Sequence, residues 1–499
     1  MWPIKIFNNL LRQKVILQTV EPGKVRYYSC GPTTYDFLHI GNARALVVGD
    51  IIHRIFKVLG SEVIFVRNFT DIDDKIIQRA QERKEDPLAL SARFIQECQT
   101  DMQALRMLPP AHTPKVSETM PEIIHFIERL LERGHAYVVN GEVFYDITTF
   151  AGYGKLSKKD ISGLASGIRI EVDQAKKHPG DFTLWKPAKP GEPAWDSPWG
   201  KGRPGWHIEC STMACKFLGE EIDLHHGGID LMFPHHENEI AQSEGATGKT
   251  FARCWCHNEF LHFKNGKMSK SKGNMITIRD FCKKYSGLLL RHVLATHHYR
   301  AVMEWNDELI LKACDECEKL HRFLLAWQQY LAQHPLQETV PPVVLGDRPA
   351  LDEGAAKLSV IEKMALDLAN DFNVAGALGH YFAWMKTVSA DLAAGKELTV
   401  PEKIAIQQTI NFVQAFSGIL DDDPAAVLKQ IDDWRRTVKG KTSSLSVDPI
   451  QVENLIKERQ QAKAQKDYAK ADQIRAQLDA LNIVVQDLPG GKFSWKQKD

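Results

Sequence analysis

The stretch from Val25 to Asn68 limits the folds open to this chain more than any other. VRYYSC (Val25–Cys30) is short, aromatic and β-branched, as a strand is. After the loop GPTTYDFLHIGNA, the residues Leu46, Val47, Ile51, Ile52, Ile55, Phe56 and Leu59 recur at helical spacing and stop at Gly60. EVIFVRN (Glu62–Asn68) is then an apolar run suited to a strand buried on both faces. Strand, helix and strand within about 45 residues make a βαβ unit, which predicts an α/β, doubly wound nucleotide-binding domain.

A chain of 499 residues is too long for that domain alone; roughly three to four domains are expected. The parallel sheet should occupy residues 1–120 and 202–263, resuming with GEEIDLHHGGIDL and ending near Phe260–Phe263. Residues 121–201, rich in glycine, proline and short segments such as EVFYDI, read as an insertion into it. Residues 264–333 turn helical, and the proline-containing linker His334–Pro349 leads to a helical block at 350–420. The turn Asp421–Pro424 sets off a last module at 425–499. Basic and acidic residues balance at 63 each, so a nucleic acid would have to be met by local basic patches. Nine cysteines in no compact framework read as reduced thiols of a cytoplasmic protein. The start MWPIKIFNNLLRQK lacks an apolar signal core, and no apolar run of about 18 residues occurs, so no membrane partner is expected.

Three clusters carry chemistry. His39-Ile40-Gly41-Asn42 lies where strand gives way to helix, and a helix start offers unpaired N–H groups and a positive dipole end to phosphate. A histidine there is also a common cap or surface residue. FKNGKMSKSKGN (Phe263–Asn274) holds Lys264, Lys267, Lys270 and Lys272 between two glycines; it is either a solvated charge run or a clamp for a triphosphate. LMFPHHENEIAQS places His235 and Glu239 four apart, so on a helix they could close on one ion or simply form a solvated face.

HIGN resembles the HIGH signature of class I aminoacyl-tRNA synthetases, and Lys267-Met268-Ser269-Lys270-Ser271 is identical to their KMSKS signature. CGPTTYD (Cys30–Asp36), NFTDIDDK (Asn68–Lys75), DFTLWK (Asp181–Lys186), SPWGKGRPGWHIECS (Ser197–Ser211) and FPHHENE (Phe233–Glu239) together resemble the cysteinyl-tRNA synthetases. The likeness is dense to about residue 310 and thinner through NDFNVAGAL (Asn370–Leu378) and KDYAKADQIR (Lys466–Arg475).

That resemblance implies a Rossmann-type class I catalytic domain with an insertion, followed by helical C-terminal domains. It implies ATP-dependent ligation of L-cysteine to tRNA(Cys) through a cysteinyl adenylate, by a monomer. It implies one Zn2+ per chain on Cys30, Cys210, His235 and Glu239, and Mg2+ accompanying ATP. Thr33, His39, Gly41, Asn42 and Lys270 would meet ATP, with His39, Lys267 and Lys270 catalytic. Thr70, Trp206, His225 and Asp230 would line the cysteine pocket, Asp230 holding the ammonium group and Trp206 forming a wall; core packing is the other reading of Trp206. Two positions depart from the family pattern: Asn42 replaces the last histidine of HIGH, and His226 stands where a glycine is usual.

Zinc has a physical purpose in such a pocket. Size alone separates cysteine from serine by only about 1–3 kcal/mol. A metal binds the thiol as thiolate, and a serine hydroxyl is far harder to ionise, so an editing domain becomes unnecessary. The basic residues Arg459, Lys463, Lys466, Lys470 and Arg475 on the amphipathic stretch Ile456–Leu478, with Trp434, Arg435 and Arg436, are candidate tRNA contacts. Composition alone favours an ordinary solvated helix over an RNA-binding one for Ile456–Leu478, and the arginine pair beside Trp434 equally suits a packed hinge. Rival readings are a cysteine ligase acting on an amino sugar, a zinc hydrolase, disfavoured by the absence of HExxH order, and a non-catalytic RNA-binding relative.

Overall fold

The computed structural model describes residues 2–159, 175–263, 275–345, 358–442, 449–465, 467–480, 483–487 and 493–497. At its centre four parallel strands, β1 (Lys24–Ser29), β2 (Glu62–Arg67), β3 (Ile222–Gly228) and β4 (Ala252–Asn258), form one sheet in the order β4-β3-β1-β2. The chain leaves β1 toward β2, then returns across it to β3, so the winding reverses between β1 and β3. Open α/β sheets hold ligands beyond the carboxyl ends of the strands at that reversal. Cys30 follows β1 directly, and His225–Gly228 end β3.

Helix α1 (Ile40–Val58) covers one face. Val47, Ile51, Ile52, Ile55 and Phe56 are buried, and so are the polar Arg44, Asp50 and Arg54. A helix buried nearly all round needs a second layer outside it. Here that layer includes the helices Gly287–Ala295 and Val400–Ser417. Arg291 Nη2 donates to Asp50 Oδ2 at 2.6 Å and its Nε to the Ser417 carbonyl at 2.7 Å. Arg54 Nε donates to the same Asp50 oxygen at 2.9 Å, and the Leu108 N–H to the other at 2.7 Å.

The opposite face carries α2 (Ile208–Leu218) and α3 (His235–Thr247) over Tyr28, Val66, Met213, Ile240, Ala241 and Trp255. The insertion joins this core. Helix Met120–Glu132 contributes Ile123 and Ile127, and an antiparallel sheet of Ala136–Val139, Glu142–Tyr145, Phe182–Pro187 and Gly202–Pro204 contributes Tyr145 and Trp185. The expectation that the central sheet ends near Phe260–Phe263 is corrected: Leu261–Phe263 pairs with Met303–Trp305 instead. The chain leaves the sheet at Asn258, where the Glu259 N–H turns to the Tyr299 carbonyl and Arg44 Nη1 captures the Phe260 carbonyl at 2.6 Å.

The chain divides into residues 1–432 and 433–499. In the second unit the amphipathic stretch read as one helix is two, Pro449–Ala464 and Tyr468–Ala480. Asp467 starts the second, its carboxylate accepting the Lys470 N–H at 3.1 Å. Folding back buries Val452 and Ile456 with Ile474 and Leu478, apolar surface that one straight helix would leave wet. No described helix is long and apolar enough to cross a membrane.

Candidate active site

His39 is the N-cap of α1. Its Nδ1 accepts the Asn42 N–H at 3.2 Å, and Asn42 Oδ1 accepts the His39 N–H at 3.2 Å, a reciprocal capping box. With Nδ1 accepting, the neutral ring carries its proton on Nε2. Asn42, the departure from HIGH, thus satisfies an orphan N–H of the helix start. Gly41 is the second residue of α1, whose first turn holds no acidic side chain, so the dipole there is left to attract an anion. Thr33 pairs with Thr70 in a parallel bridge beside this end.

Lys267 and Lys270 lie outside the described residues. The flanks of their segment are described, and both are tied to α1. On the exit side Thr277 bridges His39 antiparallel, with the Ile40 N–H on the Ile276 carbonyl at 3.0 Å and the Ile278 N–H on the Leu38 carbonyl at 2.9 Å. On the entry side Arg44 of α1 grips the Phe260 carbonyl.

At the sheet's point of reversal, donor atoms of Cys30, Cys210, His235 and Glu239 lie within 4.8 Å of one another. They come from three elements: Cys30 from the end of β1, Cys210 from the first turn of α2, and His235 and Glu239 from one face of α3. His235 Nε2 is 3.0 Å from Glu239 Oε1, Cys30 Sγ is 3.5 Å from the same oxygen, and the two sulfurs are 4.0 Å apart. A second overlapping set, Cys30, His225, His236 and Glu239, meets the same closeness. Around them lie further imidazoles: His225 Nε2 is 2.8 Å from Glu239 Oε2, His207 Nδ1 is 2.8 Å from His235 Nδ1, and His236 Nδ1 is 2.8 Å from His257 Nε2.

The electrostatics follow from burying so many charges together. Burial would push the Glu239 carboxyl up, but His225 and His235 hold it down to about 2. Burial would lower His235, yet Glu239 and Cys210 raise it to about 10. A hydrogen bond from Cys30 lowers the Cys210 thiol to about 6 against its burial, while burial and Cys210 push the Cys30 thiol well up. Two thiols, an imidazole and a carboxylate brought this close are donors of the kind that bind a divalent cation.

Thr70 is buried in the segment after β2. Trp206 is no core residue: it is 42% exposed, and its ring lies 4.7 Å from that of His235. His225 is fully buried and stacks on Trp255 at 4.4 Å. Asp230 is exposed, and its Oδ1 sits 2.4 Å from where a Cβ on Gly228 would be, so a side chain at 228 would push that carboxylate aside. His226 faces the other way, toward α1, with Nδ1 3.1 Å from Ser29 Oγ and its ring against Tyr27. Sequence reasoning passed over Asn68, His207, Glu209, His236 and His257. Glu209 is buried beside Cys210, and burial followed by the charge of Cys210 raises its carboxyl well above the ordinary range. His236 could have been found beside His235; the rest carry no local pattern.

A family model described as "tRNA synthetases class I (C) catalytic domain" matches residues 16–315. One described as "Cysteinyl-tRNA ligase anticodon binding domain" matches residues 449–494. The cysteine--tRNA ligase of Geotalea uraniireducens (strain Rf4) is 43% identical over 501 residues, 99% of this chain and 100% of that protein. That of Anaeromyxobacter dehalogenans (strain 2CP-C) is 46% identical over 504 residues, covering 99% of each. Among solved structures, Mycobacterium tuberculosis methionyl-tRNA synthetase in complex with methionyl-adenylate superposes with a TM-score of 0.57 at 15% identity, over 86% of this chain and 95% of that one, a likeness of fold.

Proposed function

The chain belongs to the cysteine--tRNA ligase family and joins L-cysteine to tRNA(Cys) using ATP with Mg2+; on that premise we propose that Cys30, Cys210, His235 and Glu239 hold a zinc ion that selects the substrate thiol. One observation carries the reading: these four donors converge at the reversal of the sheet although they come from three separate elements. Their chemistry fits the metal. Two sulfurs about 2.3 Å from a tetrahedral zinc stand about 3.8 Å apart, close to the 4.0 Å between Cys30 and Cys210. The set with both thiols suits zinc better than the overlapping set with one. When bound, the metal supplies a Lewis acid that favours a thiolate over a hydroxyl.

The chain's own residues do the rest. The start of α1 and the proton on His39 Nε2 receive phosphate oxygens, while Thr33, Gly41 and Asn42 shape the approach of the nucleotide. Lys267 and Lys270 neutralise charge that builds on the leaving pyrophosphate as the cysteine carboxylate attacks the α-phosphorus. Trp206 closes the amino-acid pocket over His235, with Thr70 and His225 lining it and Asp230 receiving the ammonium group. The adenylate then passes its aminoacyl group to the terminal ribose of the tRNA. Residues 121–201 form the insertion, 264–333 meet the acceptor stem, 350–420 support the tRNA, and 425–499 read the anticodon, working as a monomer. Pyrophosphate exchange with cysteine and serine as competing substrates, run beside zinc analysis of the purified protein, tests this. Activation of serine at a rate comparable to cysteine would refute the metal's role in selection.

A further inference from the structure

Asn68 lies one residue past β2 and is fully buried. Its Oδ1 accepts the Gly31 N–H at 2.8 Å, on the residue after Cys30, and lies 3.9 Å from Cys210 Sγ. Its Nδ2 faces Thr70 Oγ1 at 3.3 Å. One side chain thus touches the neighbour of one thiol ligand, the other thiol ligand itself, and a residue of the amino-acid pocket.

The backbones reinforce this. A Cβ on Gly31 would fall 1.5 Å from the Asn68 carbonyl oxygen, so glycine is required for the segments after β1 and β2 to meet. The Thr70 N–H donates to the Pro32 carbonyl at 3.2 Å and the Thr34 N–H to the Thr70 carbonyl at 3.1 Å, zipping residues 31–34 to 68–70. We propose that Asn68 is a positioning residue of the amino-acid site, holding the β1 end that carries Cys30 in register with the Thr70 hydroxyl. An amide alone does both tasks, because it offers an acceptor and a donor at one short reach. Aspartate would keep the bond to Gly31 but reverse the other, turning the Thr70 hydroxyl from an acceptor of the amide into a donor to a carboxylate and reorienting its proton; alanine would lose both.

This rests on the reading that Cys30, Cys210 and Thr70 belong to the amino-acid site. The test uses full-length, zinc-loaded enzyme, measuring zinc affinity and the KM values for cysteine and ATP in pyrophosphate exchange. In Asn68→Asp the KM for cysteine rises about tenfold while that for ATP stays within about twofold and zinc is retained. In Asn68→Ala zinc affinity also falls, by about tenfold or more. Thr70→Val added to Asn68→Asp has less effect than Thr70→Val alone, because both act on the one contact between residues 68 and 70. An unchanged cysteine KM in Asn68→Asp, a parallel rise in both KM values, or strict additivity overturns the proposal. Should Asn68→Ala fail to fold, Asn68→Asp, equal in size, carries the test. Thr70→Val alone separates the two levels: no effect on the cysteine KM refutes the underlying reading of the pocket. A large effect there with an inert Asn68→Asp refutes the role of Asn68 only.

Discussion

His39 and Thr277 face each other across an antiparallel bridge, two backbone hydrogen bonds joining the start of α1 to the chain just beyond the KMSKS segment. The start of α1 and residues 276–278, more than two hundred positions later, are thereby held together. Replacing Lys270 with Ala is expected to slow adenylate formation by at least about tenfold, an effect above 1.4 kcal/mol. Cysteine-dependent pyrophosphate exchange measures it, and an unchanged rate removes the lysine from the mechanism.

Asn42 completes the cap of α1, so Asn42→Ala should cost about 1 kcal/mol of stability, as other lost caps do. If the same helix end receives ATP as proposed, the KM of this variant for ATP should also rise. Thermal melting and ATP titration of the exchange reaction report the two effects separately; a variant that melts normally would show the box to be dispensable.

Trp206 is 42% exposed, so Trp206→Ala should cost less stability than the about 3–5 kcal/mol of truncating a buried tryptophan. The KM for cysteine should nevertheless rise several-fold, since the ring stands beside His235. A large loss of stability with an unchanged KM would return the residue to a packing role.

Cys210→Ser should lower the zinc content of the purified protein and narrow the preference for cysteine over serine. Prolonged chelation of the wild-type enzyme should do the same, and restored zinc should reverse it. Metal analysis before and after dialysis checks this, and full selectivity in metal-free enzyme would contradict it.

Asp50 is the buried anion between α1 and the outer helices. Burial alone would raise its carboxyl, but Arg291 and Arg54 and the Leu108 N–H hold it below its ordinary value of 3.8. A depressed carboxyl adds stability above its ordinary value and withdraws it as pH falls toward the folded-state value. Stability should therefore drop below about pH 4, and less so in Asp50→Asn, which should already cost about 3–5 kcal/mol by leaving Arg291 unpaired. Urea unfolding at pH 3 to 7 compares the two proteins.

Much of this was legible before any coordinates. The βαβ unit announced itself through two different periodicities, and the family likeness named Cys30, Cys210, His235 and Glu239, whose donor atoms lie within 4.8 Å of one another. The face occupied by His226 was also readable: successive strand residues alternate, so with His225 against Trp255 its neighbour must turn to α1. Other features had no local signal. Asn68, His207 and His257 matter because of partners 21 to 142 residues away on other elements, and no spacing rule reaches that far. The end of the central sheet was misplaced because Leu261–Phe263 looks like a strand and is one; only its partner, Met303–Trp305, reveals that it belongs elsewhere. The break at Asp467 was hidden because helical periodicity persists on both sides of it.

The two sulfurs of the site are 180 positions apart, and Glu239 follows later still. A nascent chain leaving the ribosome consequently presents Cys30 as an unaccompanied thiol while much of the first half of the polypeptide is being made. On the proposed reading an ion can be captured only once Glu239 has emerged, close to the middle of the 499-residue chain, and any product truncated before it would lack part of the ligand set.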